Sequence, residues 1–161
     1  MNWNLLFDMQ KRLDSYIEEN HQLTGRDLFQ DKYLALLVEL GELANETRCF
    51  KFWSNKPRSS REVVLEEYVD GIHFILSLGI VKGLTFVSNT LNSSDLTETE
   101  LFNQVFEQCV VFKNAPNQIN YTRLFETYLE LGLKLGFKEE DVQEAYIKKN
   151  EVNYERQNSG Y

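Results

Sequence analysis

Apolar residues recur every three to four positions along most of this 161-residue chain, which is the spacing of one helix face. Six segments show this spacing, and none shows the strict alternation of a half-buried β-strand. Pro57 and Pro116 lie in polar stretches, where they do not interrupt a helix. The predicted helices run from Asn4 to Glu19, Asp31 to Thr47, Ser60 to Lys82, Thr99 to Phe112, Gln118 to Leu135 and Lys138 to Lys149. The sequence therefore predicts one all-α domain, residues 1–161, built as a bundle of about six helices.

Polar residues predict where several of these helices begin and end. Ser59 or Ser60 can cap the third helix, and Gly136 can close the fifth in a left-handed conformation. A polar loop is predicted from Asn89 to Thr99. After Lys149 a mostly polar stretch ends in Gly160 and Tyr161, which predicts a flexible C-terminal tail.

The composition narrows the chemistry that the bundle can perform. With 17 basic and 25 acidic residues, the net charge is −8, which argues against a partner that is a nucleic-acid polymer. Two cysteines cannot form a disulfide scaffold or a four-cysteine zinc site, and two histidines exclude a histidine-rich metal site. Hydrolytic chemistry in this protein would have to rest on carboxylates.

The apolar stretches also bear on location. The N-terminus lacks the basic and apolar regions of a signal peptide, and the longest apolar stretch, Ile72–Leu84, is too short to span a bilayer. We therefore expect a cytoplasmic protein without a membrane partner.

Four carboxylates lie where apolar residues would be expected. Glu39 and Glu42 are three positions apart within an apolar part of the second helix, and Glu67 and Asp70 repeat this spacing in the third. Residues at i and i+3 share a helix face, and buried carboxylates are costly unless they are paired or bind a cation. Antiparallel packing across the Ser54–Ser60 connection would bring both pairs together. Hard oxygen ligands in this number suit Mg²⁺.

A solvated acidic face is the simpler interpretation of one such pair, and it would fit a non-catalytic helical module that binds a basic partner. A second pair in the neighbouring helix favours a metal site instead. His73 follows Asp70 closely but lies about 100° around the helix, so we interpret it as a packed structural residue.

The arrangement Glu39-x-x-Glu42 and Glu67-x-x-Asp70 resembles the metal motif of the all-α nucleoside-triphosphate pyrophosphatases, the MazG-like superfamily. Within it, the chain is most similar to the dimeric dUTPases, through the motif Phe50-Lys51-Phe52-Trp53, the motif Asp70-Gly71-Ile72-His73-Phe74 and the C-terminal residues Lys149, Asn153, Arg156 and Tyr161.

The resemblance implies hydrolysis of dUTP, and of dUDP, to dUMP by a homodimer. It implies at least two Mg²⁺ ions, for which Mn²⁺ could substitute, held by the four carboxylates, with Glu39 and Glu42 as the candidates for activating water. Apolar residues on several sides of Ile72–Leu84 agree with a dimer. A MazG-type enzyme acting on other or non-standard deoxynucleotides is the alternative.

The remaining site residues follow from the same resemblance. The phosphates would be bound by Lys149, Asn153 and Arg156, with Lys51 and Lys56 contributing from the loop. The base and sugar would be bound by Gln10, Trp53, Phe74 and Tyr161. Lys149, Asn153 and Arg156 lie along one side of a helix only if the sixth helix continues past Lys149.

Overall fold

The computed structural model describes residues 1–87 and 94–160. These residues form six helices and no strand, which confirms the all-α bundle. The helices are α1 (Trp3–Asn20), α2 (Phe29–Thr47), α3 (Arg61–Lys82), α4 (Glu98–Asn114), α5 (Gln118–Lys134) and α6 (Glu139–Asn158). Within the described ranges, no helix is long and apolar enough to cross a membrane.

The capping residues explain why the predicted boundaries of the first five helices agree with the structure to within two residues. The side chain of Ser60 caps α3 by accepting a hydrogen bond from the backbone N–H of Val63. Thr97 and Glu100 form a reciprocal capping box at the start of α4. Gly136 has a φ of +83°, as its place beyond the end of α5 requires. Residues 89–93 of the predicted loop lie outside the described residues.

The predicted end of α6 is wrong. The helix continues from Lys149 to Asn158, through a stretch that has no apolar stripe of its own. Contacts with α1 hold it: Tyr154 packs on the ring of Tyr16, whose hydroxyl donates to Asn158 Oδ1. These partners are more than 130 residues apart in sequence, so local periodicity could not reveal them. The polar tail is thereby reduced to the last few residues.

Helix α3 lies at the centre of the bundle, in contact with α1, α2, α5 and α6. Ile72, Ile75, Leu76 and Leu78 face different directions around it, and each is fully buried within one chain. Apolar residues on several sides of this segment therefore reflect its central position. Contrary to our interpretation from sequence, they carry no information about a dimer.

Tyrosines and glycines interlock α3 with α5. The ring of Tyr68 stacks on that of Tyr128 with centroids 4.7 Å apart, and the Tyr128 hydroxyl donates to the Tyr68 carbonyl at 2.7 Å. Each hydroxyl lies against a glycine of the opposite helix, because a Cβ at Gly71 would be 2.1 Å from Tyr128 Oη and one at Gly132 would be 2.3 Å from Tyr68 Oη. This close approach fixes α3, and the carboxylates that it carries, in the bundle.

Candidate functional site

Three carboxylates from two helices meet at the surface between α2 and α3. Glu39 on α2 and Glu67 and Asp70 on α3 can each offer one oxygen, and these oxygens lie within 4.8 Å of one another. The i, i+3 spacing places the two α3 residues on one face, and the packing of α2 against α3 brings Glu39 to them. We call these three residues the acidic cluster. The arrangement could hold a divalent cation.

The segment between α2 and α3 is fixed by polar contacts. Arg48 ends α2 in a left-handed conformation with φ of +59°, and its guanidinium donates to the carbonyl of Lys56 and the hydroxyl of Ser54. The backbone N–H of Ser59 donates to the carbonyl of Glu46, and their side chains are also hydrogen bonded. These contacts hold the connection between Thr47 and Arg61, in which the chain reverses direction, so the two acidic helices pack side by side.

Burial and mutual repulsion act together on the acidic cluster. Burial, together with the charges of Asp70, Glu42 and Glu67, raises the pKa of Glu39 to about 7 against the opposing effect of Lys149. Burial followed by the charges of Asp70 and Glu42 also raises the pKa of Glu67. The cluster therefore binds protons more tightly than ordinary carboxylates do, and a cation would relieve the same repulsion.

Glu42 lies beside the cluster and outside its group of three. Its side chain is exposed, although its charge contributes to the raised pKa values of Glu39 and Glu67. A one-turn helical spacing brings a residue near its neighbour without aiming both side chains at the same point. Its role as a metal ligand stays a prediction.

Lys149 of α6 forms an ion pair with the cluster. Its Nζ lies 2.7 Å from Asp70 Oδ2 and 2.8 Å from Glu66 Oε1, and its side chain is largely buried. Burial raises the pKa of Asp70 even though this ion pair opposes the effect. Lys149 therefore neutralises part of the cluster and ties α6 to α3.

A cavity of about 470 Å³ opens beside the cluster, between α1, α2, α3 and α6. Seven of the residues predicted to form the site line it, namely Gln10, Glu39, Asp70, Phe74, Lys149, Asn153 and Arg156. The cavity is thus lined by carboxylates, by cationic and amide groups from α6, and by an aromatic residue. Its volume lies within the usual range for sites that bind small molecules.

A buried hydrogen-bond network forms one wall of the cavity. Gln10 Nε2 donates to Asp14 Oδ1 at 2.7 Å, and Gln10 Oε1 accepts from the hydroxyl of Tyr146 at 2.7 Å. The same oxygen lies 2.7 Å from Nδ1 of His73. Asp14 is held in turn by Ser77, whose hydroxyl donates to it.

His73 is buried, as expected, and it also lines the cavity. Its ring stacks on Tyr146 with centroids 4.1 Å apart. Burial, reinforced by the charge of Lys149, lowers the pKa of His73 to about 3, so the ring is neutral at physiological pH. Its Nε2 atom is buried without a hydrogen-bond partner among the described residues.

Three predicted site residues in the α2–α3 connection do not line the cavity. The side chain of Trp53 is 65% exposed and contacts the rings of Phe50 and Phe52, while Lys51 lies over the Phe50 ring. Lys56 is exposed beside Arg48. Tyr161 lies outside the described residues. The roles of all four stay predictions.

Sequence reasoning missed the part that Asp14 plays in the wall of the cavity. Its position four residues after Gln10 places the two side chains on one face of α1, and this signal was available. The link from Gln10 to His73 was not available, because 63 residues separate them.

The raised pKa values predict how stability depends on pH without metal. Since the pKa of Glu39 is raised in the folded state, its stabilising contribution is complete below the unfolded pKa and is lost as pH rises through about 7. We expect the free energy of unfolding, measured with urea in EDTA, to fall between pH 5 and pH 8. The variant Glu39→Gln should show a smaller fall. Equal slopes for both proteins would contradict the assignment.

Comparison with known proteins places the chain in a family. The family model described as dUTPase matches residues 2–161, which is nearly the entire chain. A search of curated proteins with this chain found no match. The match includes both helices of the acidic cluster and the α6 residues that line the cavity. The chain therefore belongs to the dUTPase family and is an enzyme that hydrolyses dUTP.

Proposed function

We propose that this enzyme uses Mg²⁺ to hydrolyse dUTP, and also dUDP, in the cavity between α1, α2, α3 and α6. The observation that carries the proposal is the acidic cluster, which is paired with Lys149 and shares the cavity with Asn153 and Arg156. An acidic protein can bind a polyphosphate at such a place if a cation lies between the two sets of negative charge.

The acidic cluster fits a divalent metal. It supplies hard oxygen ligands within a few ångströms, and the raised pKa of Glu39 indicates that its negative charge lacks compensation. Glu39, Glu67 and Asp70 would hold two or more ions, with Glu42 turning inward to join them. When bound, Mg²⁺ would neutralise phosphate charge and lower the pKa of coordinated water. Mn²⁺ should be able to substitute because it accepts the same ligands.

Glu39 is the residue that we propose takes the proton from water. Its carboxylate belongs to the acidic cluster, so a water coordinated by a metal ion there would lie within its reach. The water oxygen bonds to phosphorus, the bridge between the α- and β-phosphates breaks, and dUTP yields dUMP and pyrophosphate. Glu42 is the second candidate for this role, and its exposure makes it the weaker one in the described arrangement.

Lys149, Asn153 and Arg156 would bind the phosphates from α6. They fall at i, i+4 and i+7, and the helix continues far enough to place them along one stripe. If a metal ion bound Asp70, the ammonium group of Lys149 would be able to turn from Asp70 toward the phosphates. Lys51 and Lys56 would have to approach through a change in the α2–α3 connection.

The base and sugar would lie against Phe74, which has its ring beside the cavity. Gln10 can offer little directly, since its oxygen accepts from Tyr146 and contacts His73 Nδ1, and one of its two N–H bonds points to Asp14. Trp53, which does not line the cavity, and Tyr161 would enclose the base and sugar. A close fit would exclude the methyl group of thymine and the 2′-hydroxyl of ribose.

The proposal includes a homodimer. Exposed apolar side chains lie on α2 at Leu34 and Val38 and in the following connection at Phe52 and Trp53, with Phe52 93% exposed. Side chains of this kind in a soluble protein favour burial against a partner. Analytical ultracentrifugation at micromolar concentration tests this part, and a monomer would contradict it.

The test of the function is hydrolysis of dUTP, dCTP, dTTP and UTP with and without Mg²⁺. We expect pyrophosphate release from dUTP alone, and only with the metal. Turnover of all four would favour the broader MazG-type activity. Mg²⁺-independent turnover of dUTP would contradict the metal mechanism, and an absence of any turnover would contradict the proposed function itself.

A further inference from the structure

A carboxylate of α1 with no place in the proposed chemistry has an unusual set of partners. Asp14 is buried, and its two oxygens receive hydrogen bonds from Gln10, Ser77 and Lys32, whose Nζ lies 3.0 Å from Oδ2. An ionised carboxylate accepts hydrogen bonds and donates none. Every group that forms a hydrogen bond with Asp14 must therefore present a donor to it.

This requirement determines the orientation of the Gln10 amide. Because Asp14 can only accept, the amide nitrogen of Gln10 must face it, and the amide oxygen must face the other way. That oxygen lies 2.7 Å from Nδ1 of His73. Two acceptors cannot form a hydrogen bond with each other, so Nδ1 of the neutral ring must carry the proton. Nε2 is left as an acceptor.

The acceptor at Nε2 has no partner of its own. It is buried, the described residues offer it no donor, and His73 is one of the residues that line the cavity. A buried acceptor without a partner is costly, and a ligand that donates to it would remove the cost. The stacking of His73 on Tyr146 holds the ring in this orientation.

We propose that Asp14 is a positioning residue: through Gln10 it fixes the Nδ1–H tautomer of His73, so that Nε2 accepts a hydrogen bond from the bound nucleotide. The donor is an N–H or O–H group, supplied by the base or by the sugar. Uracil carries N–H at N3, where cytosine has a lone pair, so a fixed acceptor discriminates between the two bases. This inference rests on the proposed function for its ligand, whereas the tautomer can be observed without turnover.

The first measurement is the tautomer itself. The chain has only two histidines, so ¹⁵N-labelled imidazoles give two sets of NMR signals, and His21→Gln assigns them. We expect Nδ1 of His73 to be protonated and Nε2 not. The nearly isosteric variant Asp14→Asn lets the Gln10 amide turn, and should populate the Nε2–H tautomer. Ser77→Ala is the matched control, because it removes one donor to Asp14 but leaves the Gln10 contact, and should keep the tautomer unchanged.

The second measurement identifies which group of the nucleotide donates a hydrogen bond to Nε2 of His73. For Asp14→Asn we expect KM for dUTP to rise about fivefold to tenfold, the value of one hydrogen bond, with kcat changed by less than about threefold. Loss of this penalty with N3-methyl-dUTP identifies the base as donor, and loss with 2′,3′-dideoxy-UTP identifies the sugar. An equal penalty with dUTP and both analogues would overturn the role of Nε2.

The outcomes separate this inference from the function on which it rests. If dUTP is not hydrolysed, the ¹⁵N shift of Nε2 on addition of dUMP still tests the acceptor. An Nε2–H tautomer in the unmodified protein, or an unchanged tautomer in a folded Asp14→Asn variant, would overturn the proposal. If that variant does not fold, the tautomer of the unmodified protein decides.

Discussion

Glu67→Gln should reduce kcat/KM for dUTP by about 100-fold or more while the protein stays folded. Metal ions in such sites contribute several kcal/mol to stabilisation of the transition state, and roughly 3 kcal/mol corresponds to about a 100-fold change in rate. Glu67 contributes one of the three oxygens of the acidic cluster, and glutamine replaces it with a poorer ligand of the same shape. Steady-state kinetics at saturating Mg²⁺ measures the effect.

Stability distinguishes loss of a ligand from loss of the fold. In EDTA at pH 8, Glu67→Gln should unfold at the same or a higher urea concentration than the unmodified protein, because it removes one of several mutually repelling charges. Glu107→Gln, an equal change of charge at an exposed position on α4, is the control for net charge. Full activity in Glu67→Gln would show that the metal site lies elsewhere.

Gly71→Ala should lower the free energy of unfolding by about 2 kcal/mol, although alanine favours helices over glycine by about 1 kcal/mol. The added Cβ would lie 2.1 Å from Oη and 2.7 Å from Cζ of Tyr128, so the ring must move and its hydrogen bond to Tyr68 weakens. Overpacking and a weakened buried hydrogen bond together exceed the helix gain. For a chain of this length the expected fall in Tm is about 4–8 °C.

A double-mutant cycle identifies the cause of this loss. Tyr128→Phe alone should be destabilising because it removes the hydrogen bond to the Tyr68 carbonyl. Combined with Gly71→Ala it should cost less than the sum of the two, since the hydroxyl that meets the new methyl group is gone. Additive losses would show that Gly71 is needed for another reason. A stabilised Gly71→Ala would show that the helices can separate without cost.

The acidic cluster illustrates how far a local pattern can lead. Two i, i+3 pairs in adjacent apolar segments were enough to predict that α2 and α3 bring carboxylates together, and three of the four do meet. The exposure of Glu42 was not predictable, because a spacing of three places two residues on one broad face without fixing where each side chain ends.

The cavity wall shows the opposite case. Gln10 was placed in the site only by family resemblance, and its partners Asp14, His73 and Tyr146 explain its orientation. Two of these partners come from helices far away in sequence. Hydrogen bonds of this kind depend on how helices dock, which a single sequence does not show.

The sequence by itself determined that the protein is all-helical, where most helices begin and end, and that α2 and α3 carry closely spaced acids. These features depend on hydrophobic periodicity and capping within about one to five helical turns, so they can be read locally. Only the tertiary structure decided that Lys149 pairs with Asp70, that α6 continues to Asn158, and that Asp14 directs Gln10 toward His73. Each of these depends on contacts between helices distant in sequence, and their free energy exists only once the bundle is assembled.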